Sequence, residues 1–373
     1  MSGILLTSNR RYYFVSPWID ATFVGGLSIV FWIVLAVAFP HTGPTPAWAI
    51  TSSTALLWVC NWPHFSATSY RLYSNRENIR QYPFTAWLAP VLVAGGVVGS
   101  FLSPSVVAPY FVKVFAIWSP YHFSGQTVGV TLIYSRRCGL KYDQTLRLAL
   151  SALVYSTFLK GVVYSEIGTA GGSYYGVAYP GLGLPSWTQY VVNTILGFSI
   201  VAFLYLLWEA VRAQKVQFNW MVLIPPTAQF FWFVLGFKII AFREFVPFFH
   251  CLQYLLVAWA MQLVESGERT PALKQGFFVK ESVRWGVLNV VGGAALFWML
   301  PRICAYSSGA TLAFSLAILT SAAQIHHFFV DGVIWKLRRA TTAQPLMANI
   351  PDYVHSALQG SLTEPVPAPV PAS

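Results

Sequence analysis

Residues 310–331 read ATLAFSLAILTSAAQIHHFFVD. No Lys, Arg, Asp or Glu interrupts this stretch before Asp331, and it is long enough for one bilayer crossing, which takes about 20 helical residues. Its apolar residues do not alternate with polar ones, so the strand of a membrane barrel is excluded. Two adjacent histidines nevertheless stand within it. The stretch predicts a membrane-spanning helix that carries buried ionisable groups.

Nine further apolar stretches of similar length predict an all-α fold, a polytopic membrane helix bundle with about ten transmembrane helices. This transmembrane domain covers residues 1–339, and residues 340–373 form a tail whose alternating prolines predict a mobile, extended end. We place the ten spans at 18–39, 47–70, 84–102, 106–135, 145–164, 189–211, 220–241, 245–264, 283–300 and 310–331.

The composition agrees with a membrane protein. Hydrophobic residues make up 56% of the 373 residues and charged residues only 9%, whereas a soluble domain carries roughly 25% charged residues. So few charges cannot cover a water-facing surface, which excludes a soluble globular enzyme, a disordered chain and a nucleic-acid-binding protein. The net charge of +11 lies in short clusters between apolar runs, as expected for loops at an anionic cytoplasmic leaflet.

The distribution of Lys and Arg predicts the orientation. The loops 40–46, 101–105 and 165–188 contain none, and Lys238, Arg243 and Arg302 are the exceptions on that side. The positive-inside rule therefore places both termini in the cytoplasm, for an integral protein of a bacterial inner membrane. The first apolar run is longer than the core of a signal peptide, so we predict a retained first span. The basic clusters are Arg10–Arg11, Arg71–Arg80, Arg136–Lys141, Arg212–Lys215, Arg269–Lys280 and Lys336–Arg339.

Histidines are concentrated inside the predicted spans. Of the seven in the chain, His41 falls in an outer loop and His355 in the tail, and the other five lie within apolar runs. A single buried histidine usually only forms a hydrogen bond between helices. Five of them in a chain with so few charges point instead to a shared functional site. The five are His64, His122, His250, His326 and His327.

Prolines accompany three of these histidines. Pro63 directly precedes His64, Pro120 stands two residues before His122, and Pro247 stands three residues before His250. Proline removes a helical hydrogen bond and bends the helix, which opens room for a ligand or a metal.

Depth and spacing group the histidines further. His64, His122, His326 and His327 fall in the inner halves of their spans, whereas simple counting puts His250 near the outer end of its own. We therefore expect the first four to form a metal site, with His250 as a fifth candidate ligand if the breaks at Pro225-Pro226 and Pro247 shift its helix. Asp331 and Gln126 each follow a histidine by one helical turn, so a role for both at the site is predicted, with Asp331 orienting a histidine ring.

The ligand type limits the metal. An all-imidazole site without paired carboxylates or cysteines suits iron, copper or zinc rather than magnesium or calcium. An iron centre with an open position would activate dioxygen, whereas zinc would activate water. The apolar surroundings favour a lipophilic small-molecule substrate that enters from the bilayer.

The histidine segments resemble those of the Brp/Blh family, bacterial membrane β-carotene dioxygenases that use histidine-held iron. Pro63-His64 looks like the first motif of that family, His122-Phe123 like the second, and His326 with Asp331 like the last. The third motif carries two histidines one turn apart, whereas Tyr254 follows His250 at that spacing here. The resemblance implies an iron-dependent oxygenase that acts on an isoprenoid or lipid.

Two other functions are open from the sequence. Two histidines on facing helices could bind haem in an electron-transfer protein, although only the adjacent His326-His327 pair occurs within one span. A transporter with buried histidines is the other alternative, although no inverted repeat is evident.

Overall fold

The computed structural model describes residues 11–38, 45–270, 273–335 and 343–359. These residues form twelve helices and one β-hairpin. The helices are α1 (Pro17–Ala38), α2 (47–73), α3 (Arg76–Gln81), α4 (Phe84–Leu102), α5 (Val107–Arg137), α6 (Gln144–Glu166), α7 (Thr188–Gln214), α8 (Trp220–Lys238), α9 (Ile240–Glu268), α10 (Phe277–Ser308), α11 (Leu312–Ile334) and α12 (Ile350–Leu358), and the strands between α6 and α7 are β1 (Gly171–Tyr174) and β2 (Val177–Pro180).

The predicted all-α membrane fold is confirmed. The ten helices other than α3 and α12 coincide with the ten predicted spans. Among the described residues, eight of the ten are both long enough and apolar enough to cross a membrane, which indicates an integral membrane protein. The other two, α2 and α5, have the required length but carry more polar side chains.

The helices form an inner and an outer group. Helix α9 is the most buried of the eight candidate spans and packs against α1, α2, α5 and α10. Helix α11 packs against α2, α4 and α5. Helices α7 and α10 lie outside and expose large apolar side chains, such as Phe198 at 73% and Val279 at 70%. Such a surface fits contact with lipid better than contact with water.

The hairpin is fixed to the bundle by one buried ion pair. Strands β1 and β2 are antiparallel, and Val177 packs in one cluster with residues of α5 and α11. Lys113 Nζ of α5 lies 2.6 Å from Glu166 Oε1 at the end of α6. Glu166 Oε2 accepts a hydrogen bond from the Leu182 amide just after β2. Both ends of the hairpin are therefore anchored to the same pair of helices.

The two terminal segments meet at the C-terminal end of α5. The buried guanidinium of Arg137 donates to the carbonyls of Arg11 and Tyr13 and to that of Ala348. The Ile350 amide donates to the Phe14 carbonyl at 2.7 Å. Both segments thus lie at one end of the bundle. His41, the cluster Lys336–Arg339 and the proline-rich end of the predicted tail lie outside the described residues.

Candidate metal centre

Four buried histidines meet inside the bundle. One ring nitrogen from each of His64, His122, His250 and His327 lies within 4.8 Å of the other three. The two Nε2 atoms of His122 and His327 are 3.0 Å apart. Helices α2, α5, α9 and α11 each supply one of the four rings, and no ring is more than 8% exposed. The cluster could hold a metal ion.

Breaks in α2 set the position of His64. A π-helical turn, Leu57–Asn61, ends directly before Trp62, and Pro63 follows without an N–H for the preceding turn. Both features bend a helix. Helix α10 then approaches closely, because a Cβ added at Gly293 would lie 2.6 Å from the backbone of Trp62. Because Gly293 has no side chain, α10 can pack directly against the backbone of this part of α2.

A polar network holds α5 beside the site. Pro120 lies inside α5 two residues before His122, and its carbonyl accepts a hydrogen bond from Ser124 Oγ. Gln229 of α8 donates to the same Ser124 oxygen at 2.7 Å and accepts from Thr127 Oγ1 at 2.9 Å. These hydrogen bonds satisfy polar side chains of α5 that would otherwise be unpaired inside the bundle. They also fix the helical turn that carries His122.

His250 belongs to the cluster, which the depth argument did not predict. Counting residues along the predicted span placed its start at the surface of the bundle. Instead, Ile239, Phe242 and Phe245 of the connection from α8 are buried, so the segment Val246–Glu268 begins within the bundle. Pro247 stands in the first turn of this segment rather than at a kink. Phe123 stacks on the His250 ring at 3.9 Å between centroids.

His326 lies outside the cluster, where the depth argument had included it. Adjacent residues on a helix point about 100° apart, so His326 and His327 cannot both face the bundle centre. His326 is partly exposed, and its Nε2 lies 3.1 Å from the Tyr73 hydroxyl. Its ring is stacked on the Tyr73 ring. His326 therefore already has a hydrogen-bonding partner at the bundle surface.

The ring nitrogens in the cluster largely lack partners. Among the described residues, twelve buried side-chain polar atoms have no hydrogen-bond partner, and five of them are ring nitrogens of His64, His250 and His327. A buried polar atom without a partner costs about 1–3 kcal/mol. A metal ion would satisfy one nitrogen of each ring. An all-imidazole donor set fits iron, copper or zinc.

Asp331 lies at one edge of the cluster. Its Oδ2 is 3.6 Å from both His122 Nε2 and His327 Nε2, which is beyond hydrogen-bond length. Its Oδ1 accepts from Trp335 Nε1 at 3.0 Å and lies 3.3 Å from Thr68 Oγ1. One carboxylate oxygen therefore faces the Nε2 atoms of the two histidines, and the other oxygen is held by Trp335 and Thr68.

Two aromatic residues near Asp331 were not predicted as site residues. Trp335 follows Asp331 by four residues, and Tyr254 follows His250 by four, so each shares a helix face with a site residue. Tyr254 packs against the His64 ring at 4.1 Å, and its hydroxyl is hydrogen-bonded to Thr68. The spacing of four residues was the signal available in the sequence.

Gln126 supports His250 through the backbone. Its Nε2 donates to the His250 carbonyl at 2.8 Å and to Gln253 Oε1 at 3.2 Å. Its Oε1 is buried without a partner and belongs to the wall of a cavity beside His122. One end of this amide therefore positions α9, and the other end is free to accept a hydrogen bond from a ligand.

A cavity of about 360 Å³ adjoins the histidines. It follows one face of α5 from Trp118 to Ile133, a length of about 22 Å at 1.5 Å per residue. A Cβ added at Gly129 or at Gly332 would meet nothing within 4 Å, so these glycines keep the cavity open. The cavity is mostly apolar and aromatic, and its polar wall residues include His122, Gln126 and Asp331.

Comparison with known proteins gave no relatives, because no family model, characterised protein or solved structure matches the chain.

Proposed function

We propose that this protein is a membrane-embedded metalloenzyme, an iron-dependent oxygenase that acts on a lipophilic isoprenoid or lipid. The observation that carries the proposal is the set of four imidazoles, each with one nitrogen within 4.8 Å of the other three. Five ring nitrogens of His64, His250 and His327 have no partner in the described part of the protein. In this proposal His64, His122, His250 and His327 hold the iron. When bound, the iron supplies the activation of dioxygen.

The cavity along α5 is the proposed substrate site. It touches His122 in the cluster, and Tyr121 at its wall is 47% exposed on the bundle surface. An apolar substrate could therefore enter sideways from the bilayer. Gln126 Oε1 is the proposed acceptor for a polar group of the substrate. Asp331 is proposed to orient His122 and His327 and to hold a proton beside them.

The membrane arrangement is part of the proposal. Ten crossings follow if α2 and α5 span the bilayer like the eight more apolar helices, and both termini then face the cytoplasm of a bacterial inner membrane. The resemblance of the histidine segments to the Brp/Blh family supports the choice of iron and dioxygen.

The geometry favours a non-haem metal over haem. A haem ligated by two histidines holds them on opposite faces of a flat macrocycle. In the cluster the rings are packed edge to face, with centroids 4.5 Å apart for His64 and His327 and 4.7 Å apart for His122 and His327. Rings packed in this way leave no slot for a porphyrin plane.

Elemental analysis of the purified protein tests the proposal. We expect about one iron per chain in the wild type and a strong loss of iron in each of the alanine variants of His64, His122, His250 and His327. His326→Ala is the matched control, since it removes an adjacent imidazole outside the cluster, and it should keep its iron. Zinc or copper in place of iron would overturn the oxygenase assignment. Full metal content in all four variants would overturn the metal site itself.

A further inference from the structure

A second cavity lies beside α5, against residues other than those that line the cavity next to the metal centre. Its volume is about 470 Å³, within the range of about 300–1,000 Å³ that is typical of ligand sites. Helix α5, the end of α6, the hairpin, α8 and the start of α9 enclose it. Phe123 forms part of its wall and also stacks on His250, so the two sites share this side chain.

The cavity has both apolar and polar walls. Phe115, Val162 and Phe233 are among its apolar lining residues, and Glu166 and Arg243 are among its polar ones. Such a division matches a molecule with one apolar chain and one polar head.

Among the described charged residues that line the cavity, Arg243 has no acidic partner. The Glu166 carboxylate is already used by Lys113 and by the Leu182 amide. Arg243 is exposed and rests over the Phe237 ring at 5.2 Å, and within the described part of the chain no carboxylate lies within ion-pair distance of it. Arg243 nevertheless acts on the hairpin through its charge. Burial and Glu166 raise the pKa of Tyr179, and the positive charge of Arg243 lowers it.

A second donor in the cavity wall also lacks a partner. The indole of Trp232 is 1% exposed, and its Nε1 is without an acceptor. An indole N–H can only donate, so only an acceptor can satisfy it. A buried donor left unpaired is unfavourable, and a ligand oxygen in the cavity would satisfy it.

We propose that this cavity binds a single-chain amphiphile with an anionic carboxylate or phosphate head. The anionic head of the ligand pairs with Arg243, and an oxygen of the ligand accepts a hydrogen bond from Trp232. The apolar chain of the ligand packs among the apolar side chains of the cavity. Arg243 is one of the few cations in loops that the charge distribution assigns to the outer side, where a lipid head would be met.

Fluorescence quenching by 9,10-dibromostearate tests this site in the purified protein in a neutral detergent. Bromine quenches nearby indoles, so the wild type should show saturable quenching that is absent or much reduced in Trp232→Phe. The methyl ester of the same acid has no charge and should bind at least tenfold more weakly. Dibrominated lysophosphatidylglycerol, a single-chain lipid with a phosphate head, is added separately and distinguishes a free acid from a membrane lipid as the source of the same headgroup charge.

Matched variants separate this site from general partitioning into the detergent. Arg243→Gln should weaken dibromostearate binding at least tenfold. Arg302→Gln is the control, since Arg302 also rests over an aromatic ring, Trp298, at 4.3 Å, and it should bind as the wild type does. Ala116→Leu, which adds a side chain to the wall, should reduce binding without any change of charge. Equal binding of acid and ester, or equal effects of the two arginine variants, would overturn the proposal.

Discussion

Replacing His250 with Leu should make the metal-free protein more stable, although it removes a buried residue from the proposed site. Both ring nitrogens of His250 are buried without partners. A neutral imidazole carries one donor and one acceptor, so the variant removes one unsatisfied group of each kind. A histidine that served only the packing of the bundle would show the opposite effect.

The expected size of the effect follows from the contacts of the ring. Each unsatisfied group costs about 1–3 kcal/mol, so removal of both recovers about 2–6 kcal/mol. A change of side-chain shape at constant volume costs up to about 1.5 kcal/mol, which includes the loss of the stacking on Phe123. We expect a net gain of roughly 0.5–4.5 kcal/mol for the metal-free variant.

Equilibrium unfolding in mixed micelles of rising SDS mole fraction measures the change, with EDTA and with iron. Iron at 100 times its dissociation constant should stabilise the wild type by about 2.7 kcal/mol and should leave His250→Leu unchanged. His326→Leu is the control, since that ring has a partner in Tyr73. Its variant should lose about 0.5–1.5 kcal/mol under both conditions.

The reasoning would be refuted by a metal-free His250→Leu variant that is less stable than the metal-free wild type. The ring would then contribute through contacts within the protein, and its unpaired nitrogens would be no sign of a metal. Equal stabilisation of wild type and variant by iron would show that the metal binds elsewhere.

Three further predictions concern the carboxylate, the cavity and the membrane arrangement. Asp331→Asn should weaken metal binding about 10- to 100-fold in a chelator competition. Asp143→Asn, which alters only the N-cap of α6, is the control and should bind the metal as the wild type does. Equal metal affinities of the two variants would remove Asp331 from the site. Gly129→Leu should fill the cavity and keep its metal, with a gain of about 0.5–1 kcal/mol in stability from helix propensity. We expect a lipophilic compound in organic extracts of the purified wild type and of Gly197→Leu, which alters an exposed glycine of α7 that is equally free of neighbours, and none in extracts of Gly129→Leu. Its presence in all three would exclude this cavity. A reporter fused at residue 373 should be active only on the cytoplasmic side, and periplasmic activity would reverse the orientation.

The positions of the helices could be predicted because each long helix coincides with an apolar run. Helices α2 and α5 are less apolar than the other eight, but each contains an apolar run of sufficient length and was predicted on that basis. The hairpin between α6 and α7 was not predicted. Its strands are four residues each and are too short to give a periodic signal.

The composition of the site could be predicted only in part. Three of the four clustered histidines were grouped correctly by depth, and the error at His326 was avoidable, since two adjacent helical residues cannot share a face. Depth left His250 open as a ligand, and the sequence could not decide it. Its place depends on the burial of Phe242 and Phe245 at the start of α9, and an apolar loop looks the same in a sequence as the end of an apolar helix.

The pairing of polar groups inside the bundle supports a ligand for the histidines. Most amide and hydroxyl groups near the site find partners in other helices, as Gln229 does with Ser124 and Thr127. Tyr254 likewise pairs with Thr68. A bundle that pairs these neutral polar groups has the means to satisfy an imidazole as well. It leaves five ring nitrogens unpaired at one point, and all of them belong to rings that face each other. Random imperfection would scatter such atoms through the interior, whereas a metal site requires them to converge.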